Sequence, residues 1–378
     1  MAEPSRLRTA LVGCGAISAK HIAAIHQCAD QFDLVAVVDV DKARAEAAAE
    51  QARSGPAGST CRAFTDPDEA AAACNPQVAA IATPSFFHAD QAVYWIERGC
   101  DLVLEKPVAL STTGIEQIAA SQRTHKRKIA VAYVLRYSPA MRLLRQALEA
   151  RRFGRVLHVG LSVYWNRNNA YYEAAPWRGT WDKDGGMLMN QATHGIDLVQ
   201  WLLGGVPRTV YGRLARYLRP IEAEDFAAAH LEFAGGATAT VQATVDTYPS
   251  NLGTRLVVVG ETGTVELSGG GLDTIEAWRF PDDPAWETVD NAVLGGAHQA
   301  EAAPAGHAGL YTELASTIHT DTEPFTGFAD ARVSAEIVLG ILQSHKVGRA
   351  VDFPLEFSTA EMAGVSIPGG ADRGGTGP

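Results

Sequence analysis

The first third of the chain alternates apolar strands with helical segments so regularly that few folds can hold it. RTALVGCG, residues 8–15, reads as a buried strand ending in Gly-Cys-Gly, and residues 16–29 carry a helical apolar pattern (Ile17, His21, Ala24, Ile25, Cys28). A second strand, residues 33–41, ends at Asp39, 24 positions after Gly15. The alternation continues through helices at 42–53, 68–74, 88–99 and 113–125. Strands fall at QVAAIATPS, at the run into Glu105-Lys106-Pro107, and at residues 128–137. Strands separated by crossover helices form a doubly wound parallel sheet, whose ligands bind outside the carboxyl ends of the strands.

The glycine turn has two of the three glycines of G-x-G-x-x-G, with Ser18 in the third place. That place requires only a small residue for close helix–strand packing. An acid at the end of the second strand is where the ribose 2′-hydroxyl of NAD is bound. The 2′-phosphate of NADP would meet two negative charges, Asp39 and Asp41. Thr83-Pro84 closes another strand at the same sheet edge, so its loop is expected to line the cofactor crevice.

VLEKPVAL, residues 103–110, stops a short strand at a Glu-Lys-Pro turn. Pro107 has no N–H to donate, and it biases Lys106 toward an extended conformation. A lysine at the carboxyl end of a parallel strand projects into the ligand crevice, where its ammonium can bind a hydroxyl or polarise a carbonyl. A solvated turn lysine is the plain alternative for this motif taken alone.

Beyond about residue 138 the pattern changes. A helix at 139–150 precedes strands at 155–165, 208–216, 226–233, 237–247, 255–260, 264–267 and 274–280, with Gly235-Gly236 as a two-residue hairpin signal. These make a second domain of α+β type with a mostly antiparallel sheet. Residues 292–309 read as a long loop, residues 310–319 and 329–346 as helices, and the Gly-rich end as disordered. The expected division is residues 1–130, 131–357 and a disordered tail at 358–378.

Residues 186–203 read as a helix stopped by two glycines. At about 100° per residue, Asn190, His194, Asp197 and Trp201 share one stripe. Met189, Ala192, Ile196, Val199 and Leu203 form the opposite, packing side. No Lys, Arg or Glu lies between Gly186 and Gly205, which suits a polar, partly buried cleft better than a surface helix. Ahead of it, YWNRNNAYYEAAPWRGTW carries Tyr164, Trp165, Tyr171, Tyr172, Trp177 and Trp181 among Asn and Arg. Aromatic faces beside hydrogen-bonding groups suit a polyhydroxylated ring, and aromatic core packing is the alternative.

The 43 acidic against 32 basic residues, a net charge of −11, disfavour nucleic acid or an anionic membrane as partner. The five cysteines lie in the first hundred residues without C-x-x-C pairing, which argues against a disulfide framework or a zinc site and for a reducing, cytoplasmic setting. No apolar run reaches the length of a membrane span, and no apolar signal-peptide core precedes the first strand.

Together these pieces resemble the Gfo/Idh/MocA oxidoreductase family, of the glucose–fructose oxidoreductase and inositol dehydrogenase type. The matching stretches are LVGCGAIS, VVDVDKARA, IATPSFFHAD, LEKPVAL, YVLRYSP and DGGMLMNQATHGIDLVQWLLGG. The resemblance implies a Rossmann domain followed by an α/β domain whose open sheet joins subunits into a homodimer or homotetramer. It implies hydride transfer between NAD and a secondary hydroxyl of a sugar, sugar derivative or cyclitol. A ketosugar or sugar-nucleotide reductase and a non-catalytic dinucleotide-sensing protein are the alternatives.

By resemblance, Lys106, His194 and Asp197 are catalytic. Cofactor contacts come from Gly13, Gly15, Ala16, Ile17, Asp39, Thr83, Pro84, His88, Glu105 and Lys106. Substrate contacts come from Lys106, Arg136, Trp165, Asn166, Arg178, Asn190, His194 and Asp197, with no metal. Inositol dehydrogenase relatives carry an aspartate one turn before the histidine, where this chain has Asn190. Restoring that aspartate is expected to keep or raise activity. The DGG…NQ…H…D wording is more similar to sugar and sugar-nucleotide dehydrogenases and ketoreductases of the family.

Overall fold

The structure is a computed structural model that describes residues 6–281 and 304–369. The described residues fall into two compact units. One comprises those of Met1–Ala109, Gly114–Tyr137 and Ala303–Ala331, the other those of Leu110–Thr113, Ser138–Ala302 and Arg332–Pro378.

The first unit is built on six strands: β1 (Leu7–Val12), β2 (Phe32–Val38), β3 (Arg62–Phe64), β4 (Val78–Ile81), β5 (Asp101–Leu104) and β6 (Ile129–Val131). Their order is β3-β2-β1-β4-β5-β6, parallel throughout. Helices α1 (Ser18–Gln27), α2 (Lys42–Arg53), α3 (Pro67–Cys74), α4 (His88–Glu97) and α5 (Thr112–His125) connect them. Central strands covered on both faces read as unbroken apolar runs, as in Val78–Ile81, buried at every position. The strand order reverses between β1 and β4, which locates the ligand crevice at the carboxyl ends of those two strands.

One strand is absent from the sequence pattern, and another ends earlier than expected. β3 has no alternation long enough to read from three residues, and it is recognised only by its pairing with β2. The strand expected over 128–137 stops at Val131, and Val134–Tyr137 is a 3₁₀ turn.

After α6 (Pro139–Glu149), the second unit holds eight strands: β7 (Val156–Tyr164), β8 (Thr209–Ala215), β9 (Phe226–Glu232), β10 (Thr238–Thr244), β11 (Gly253–Gly260), β12 (Thr264–Gly269), β13 (Thr274–Arg279) and β14 (Val351–Asp352). They lie in the order β13-β12-β11-β7-β10-β9-β8-β14, antiparallel except for β7 with β10. One face is apolar, with Val159, Leu161 and Val163 of β7 buried, and α7 (Asn169–Glu173) and α8 (Thr193–Leu203) lie in the connection to β8. Gly195 of α8 sits so close that an added Cβ would lie 2.7 Å from Leu161, so this glycine sets the helix–sheet distance. The β9–β10 hairpin closes through three residues, Ala234 to Gly236, rather than two. Phe233 N–H donates to the Ala237 carbonyl at 2.8 Å, and Gly235 takes a positive φ.

The last two helices are α9 (Gly306–Thr320) and α10 (Phe328–Val347). Of the loop expected over 292–309, only residues from 304 are described, and the helix already begins at Gly306. α9 returns to the first unit: Leu310, Tyr311, Leu314 and Ala315 pack with Ile22, Ile25 and Phe32. The sequence pattern assigned this stretch to the second domain, because apolar periodicity does not say which core a helix covers. The expected disordered tail is also corrected in its described part. Ser358 caps a 3₁₀ turn over Thr359–Met362, and Arg216 N–H donates to the Pro368 carbonyl at 3.0 Å. Residues 370–378 lie outside the described residues.

Candidate active site

The glycine turn after β1 is shaped by close approach. Gly13 takes φ +94°, and a Cβ there would lie 2.6 Å from the Ala82 carbonyl, whereas one at Gly15 would meet nothing within 4 Å. Gly13 thus packs the turn on the loop after β4, while Gly15 leaves open space where a pyrophosphate can approach the backbone. Ser18 Oγ donates to the Gly15 carbonyl at 2.6 Å and begins α1. Ala16 and Ile17 lie between, in the turn itself. At the end of β2, Asp39 accepts from Cys14 N–H at 2.8 Å and from Asp41 N–H at 2.9 Å. Its carboxylate therefore faces the glycine turn, the position a ribose acceptor needs. Asp41 instead caps α2. The turn and the acid together fit a dinucleotide.

Lys106 follows β5 and is half-buried, and its bond to Pro107 is cis. Glu105 is buried. Its Oε2 accepts from Lys106 N–H at 3.2 Å, and its Oε1 accepts from Nε2 of His21 at 3.1 Å and of His307 at 3.3 Å. Tyr311 Oη lies 2.9 Å from Nδ1 of His21. With Nε2–H donating to the carboxylate, Nδ1 accepts from the Tyr311 hydroxyl, which assigns the neutral tautomer. Burial pushes the His21 pKa down, in keeping with that neutral form. Burial would raise the Glu105 pKa, but the hydrogen bonds from His21 and His307 outweigh it and hold the carboxyl well below its ordinary range. The ligand-type atoms of these three side chains lie within 4.8 Å of one another, and the hydrogen bonds use the same atoms a metal would.

The carbonyl of Pro107 is approached from the other side. It lies 2.6 Å from Nδ1 of buried His88, whose Nε2 lies 2.9 Å from the Thr83 carbonyl. His88 thus stands between the Thr83-Pro84 loop and the Lys106 turn; burial pushes its pKa down, and the neutral ring donates to one of the two carbonyls. Of the residues expected near the cofactor, Glu105 and His88 act on other protein groups. Arg136 is fully buried in the first unit, ion-paired with Asp330. That pairing engages this arginine within the protein, whereas the sequence places it among the substrate contacts.

In the second unit, the helix expected over 186–203 widens into a π-turn, Leu188–Ala192, within its first turns and before α8. Gly185 and Gly186 both take positive φ before it, so the chain enters the helix through a glycine corner. The wider π-turn breaks the 100° stripe between Asn190 and His194. Asn190 Nδ2 donates to Asp184 Oδ1 at 2.5 Å, and Asp184 Oδ2 accepts from Gly179 N–H at 2.7 Å. His194 and Asn190 are half-buried, and most of α8 is buried all round. That burial explains the missing Lys, Arg and Glu. It also corrects one expectation: Asp197 is 0% exposed and accepts from Ser334 Oγ at 2.9 Å and Gln200 Nε2 at 3.3 Å, so it is held by protein groups.

The aromatic loop divides in the same way. Tyr172 and Trp181 are buried in the core, while Tyr164, Trp165, Tyr171 and Trp177 are half-buried. Trp165 Nε1 donates to Thr254 at 3.2 Å, Asn166 Nδ2 to the Thr247 carbonyl, and Arg178 to the Tyr171 carbonyl at 2.7 Å.

Glu224, which sequence reasoning passed over, supports the glycine corner. It is fully buried, its Oε1 accepts from Leu188 N–H at 2.8 Å, and burial pushes its pKa up to about 8, with Asp184 and Asp225 adding to the rise. The folded state keeps this proton from about pH 4.5 to about 8, a range in which the unfolded chain has lost it. Stability from this group is therefore full below that range and falls as pH rises through it. Glu224→Gln cannot ionise, so its unfolding midpoint should gain on the wild type steadily across that range and level off above it. Thermal melts at a series of pH values check this; an offset independent of pH would refute the assignment.

Residues 7–133 match the family described as "Oxidoreductase family, NAD-binding Rossmann fold", and residues 141–266 match the GFO/IDH/MocA C-terminal domain. The structure is similar to that of the WlbA dehydrogenase from Bordetella pertussis, solved with NADH and UDP-GlcNAcA. That likeness has a TM-score of 0.85 and 31% identity, covering 94% of this chain and 100% of the other. Inositol 2-dehydrogenase 4 of Saccharopolyspora erythraea is 30% identical over 71% of this chain and 75% of its own length. An inositol 2-dehydrogenase of Corynebacterium glutamicum is 30% identical over 52% of this chain, a match that spans 54% of that relative's length. With the glycine turn, Asp39, the Glu-Lys-Pro turn and the His194 helix in place, these matches establish that the chain belongs to the Gfo/Idh/MocA family of NAD-binding oxidoreductases.

Proposed function

We propose that the protein is an NAD-dependent dehydrogenase that oxidises a secondary hydroxyl of a sugar, sugar derivative or cyclitol. The observation that carries this is Lys106: half-buried at the carboxyl end of β5, with its backbone held by Glu105 on one side and the Pro107 carbonyl against His88 on the other. Gly13, Gly15, Ala16, Ile17, Asp39, Thr83 and Pro84 hold NAD, which supplies the hydride acceptor when bound. Lys106 stabilises the substrate oxygen as it becomes a carbonyl, and His194 or Lys106 takes the hydroxyl proton. Asn190, fixed by Asp184, binds a further hydroxyl or orients His194, and Asp197 positions the helix that carries His194. Trp165, Asn166 and Arg178 complete the substrate surface.

The test is a panel of sugars, cyclitols and sugar nucleotides screened with purified protein for NADH formation. The named relatives direct the panel toward cyclitols and sugar nucleotides. Turnover confined to small acyclic hydroxy acids would defeat the reading. With a substrate in hand, NAD should exceed NADP by at least about tenfold in kcat/KM, because Asp39 accepts from a ribose hydroxyl and repels a phosphate. Asp39→Ser should narrow that gap, and equal use of both cofactors by the wild type would refute the role of Asp39.

Assembly as a homodimer or homotetramer through the open face of the eight-stranded sheet is part of the same proposal. That face presents Tyr211, Arg213, His230, Thr240 and Gln242, and light scattering on the purified protein tests it. A cytoplasmic setting accords with five unpaired cysteines. Among the described residues no helix is long and apolar enough to cross a membrane.

A further inference from the structure

Among the half-buried cations of this acidic chain, Lys128, Arg145, Arg219 and Arg332 each have an acid beside them, while the side chains of Arg8, Arg127 and Arg216 donate to backbone carbonyls. Arg167 and Arg178 are half-buried too, yet among the described residues neither has a carboxylate within ion-pair distance. Both guanidinium groups lie over one ring, that of Tyr171, at 5.3 Å and 4.2 Å from its centroid. Each also lies over a tryptophan, Arg167 over Trp165 at 4.9 Å and Arg178 over Trp177 at 5.6 Å. Their hydrogen-bond acceptors are neutral: the Asn166 carbonyl and Asn251 amide for Arg167, the Tyr171 carbonyl for Arg178. Nε of Arg178 is buried and meets no acceptor among the described residues. The nearby acid, Asp184, is committed to Gly179 N–H and to Asn190.

Two cations gathered on one aromatic ring repel each other, and cation–π contact compensates only part of their lost hydration. The same contacts fix the planes of the two guanidinium groups, whose forked donors match a carboxylate or phosphate. Tyr171 is anchored to the catalytic helix as well: its hydroxyl accepts from Gln191 Nε2 at 3.0 Å, and Gln191 lies between Asn190 and His194 in sequence. Buried Oε1 of Gln191 has no donor among the described residues, and a ligand hydroxyl can supply one. The geometry points to an anion-binding subsite in the second unit, formed by Arg167 and Arg178 around Tyr171, that takes a carboxylate or phosphate group carried by the sugar substrate. The identity of the ligand as a sugar rests on the dehydrogenase reading; the charge argument stands apart from it.

The experiment titrates NADH-loaded full-length protein calorimetrically with matched ligands: glucose, glucuronate and glucose 6-phosphate, then galactose and galacturonate. At least one anionic ligand should bind about tenfold or more tightly than its neutral counterpart, the scale of a hydrogen bond to a charged group. The uronates and the phosphate separate the two anion classes. Arg178→Ala and Arg167→Ala should each reduce the ratio of anionic to neutral affinity, and the double variant should abolish it. Should a variant fail to fold, the wild-type ratio between low and high sodium chloride serves instead, and it should shrink with salt. Equal affinity for anionic and neutral ligands, no binding of any anionic ligand, or a ratio that survives both substitutions or ignores salt would overturn the subsite. Arginine-dependent binding without hydride transfer to NAD from any ligand would leave the subsite standing and remove the dehydrogenase reading. Oxidation of neutral sugars with no anion preference would do the reverse.

Discussion

Lys106→Ala is expected to lower kcat by roughly 10²-fold or more, the scale of a positioned acid–base or electrostatic group, while the protein stays folded and binds NADH nearly as before. The side chain is half-buried, so its loss opens little core. The turn that carries it is held by groups the substitution leaves in place. Glu105 accepts from the backbone N–H of residue 106, and both His21 and His307 fix Glu105. His88 lies against the Pro107 carbonyl. The alanine variant therefore removes an ammonium from an otherwise unchanged frame. Lys106→Arg is expected to fail as a rescue, because a planar fork cannot replace a compact point charge at a site built for it. Steady-state kinetics, an NADH titration and a thermal melt on the same preparations make the test. Turnover within a few-fold of wild type would refute the catalytic assignment, and loss of the fold would make Lys106 structural.

His194→Ala should depress kcat on a similar scale, roughly 10²- to 10⁴-fold, because a general base contributes that much when positioned. Asn190→Ala should act more mildly and chiefly on KM, about 1–3 kcal/mol for a lost hydrogen bond to a buried group. Asn190→Asp is where the structure reverses the expectation from sequence. Asp184 Oδ1 accepts from the Asn190 amide at 2.5 Å, so an aspartate at 190 would set two carboxyl groups in contact. Two such groups cannot both ionise, and one would hold a proton well above its ordinary pKa. The Asn190→Asp enzyme should therefore lose kcat/KM at neutral pH and acquire a pH dependence the wild type lacks. Activity equal to or above wild type at pH 7 would show that Asp184 does not control this position.

Much of this architecture was legible locally. The strand, glycine turn, helix and acid of residues 8–41 are a matter of periodicity and turn chemistry, and they stand where read. Seven strands of the second sheet are legible from sequence, because one face of that sheet is buried and the other is not. The helix of residues 193–203 was recognised as unusual by the charges it lacks, and its burial on nearly every side is the reason for that lack. His21 was visible too, as a histidine within an apolar helical stripe, although its partners were not.

The order of elements, the class of each unit and the motifs that mark a dinucleotide site thus follow from residues a few positions apart. Which polar groups are engaged by protein depends on contacts between distant parts of the chain. His21 meets Tyr311 across 290 positions, Asp197 meets Ser334 across 137, and Arg136 meets Asp330 across 194. No local pattern encodes such pairs. Burial makes them necessary, because a polar group removed from water must find its partner wherever the fold brings one.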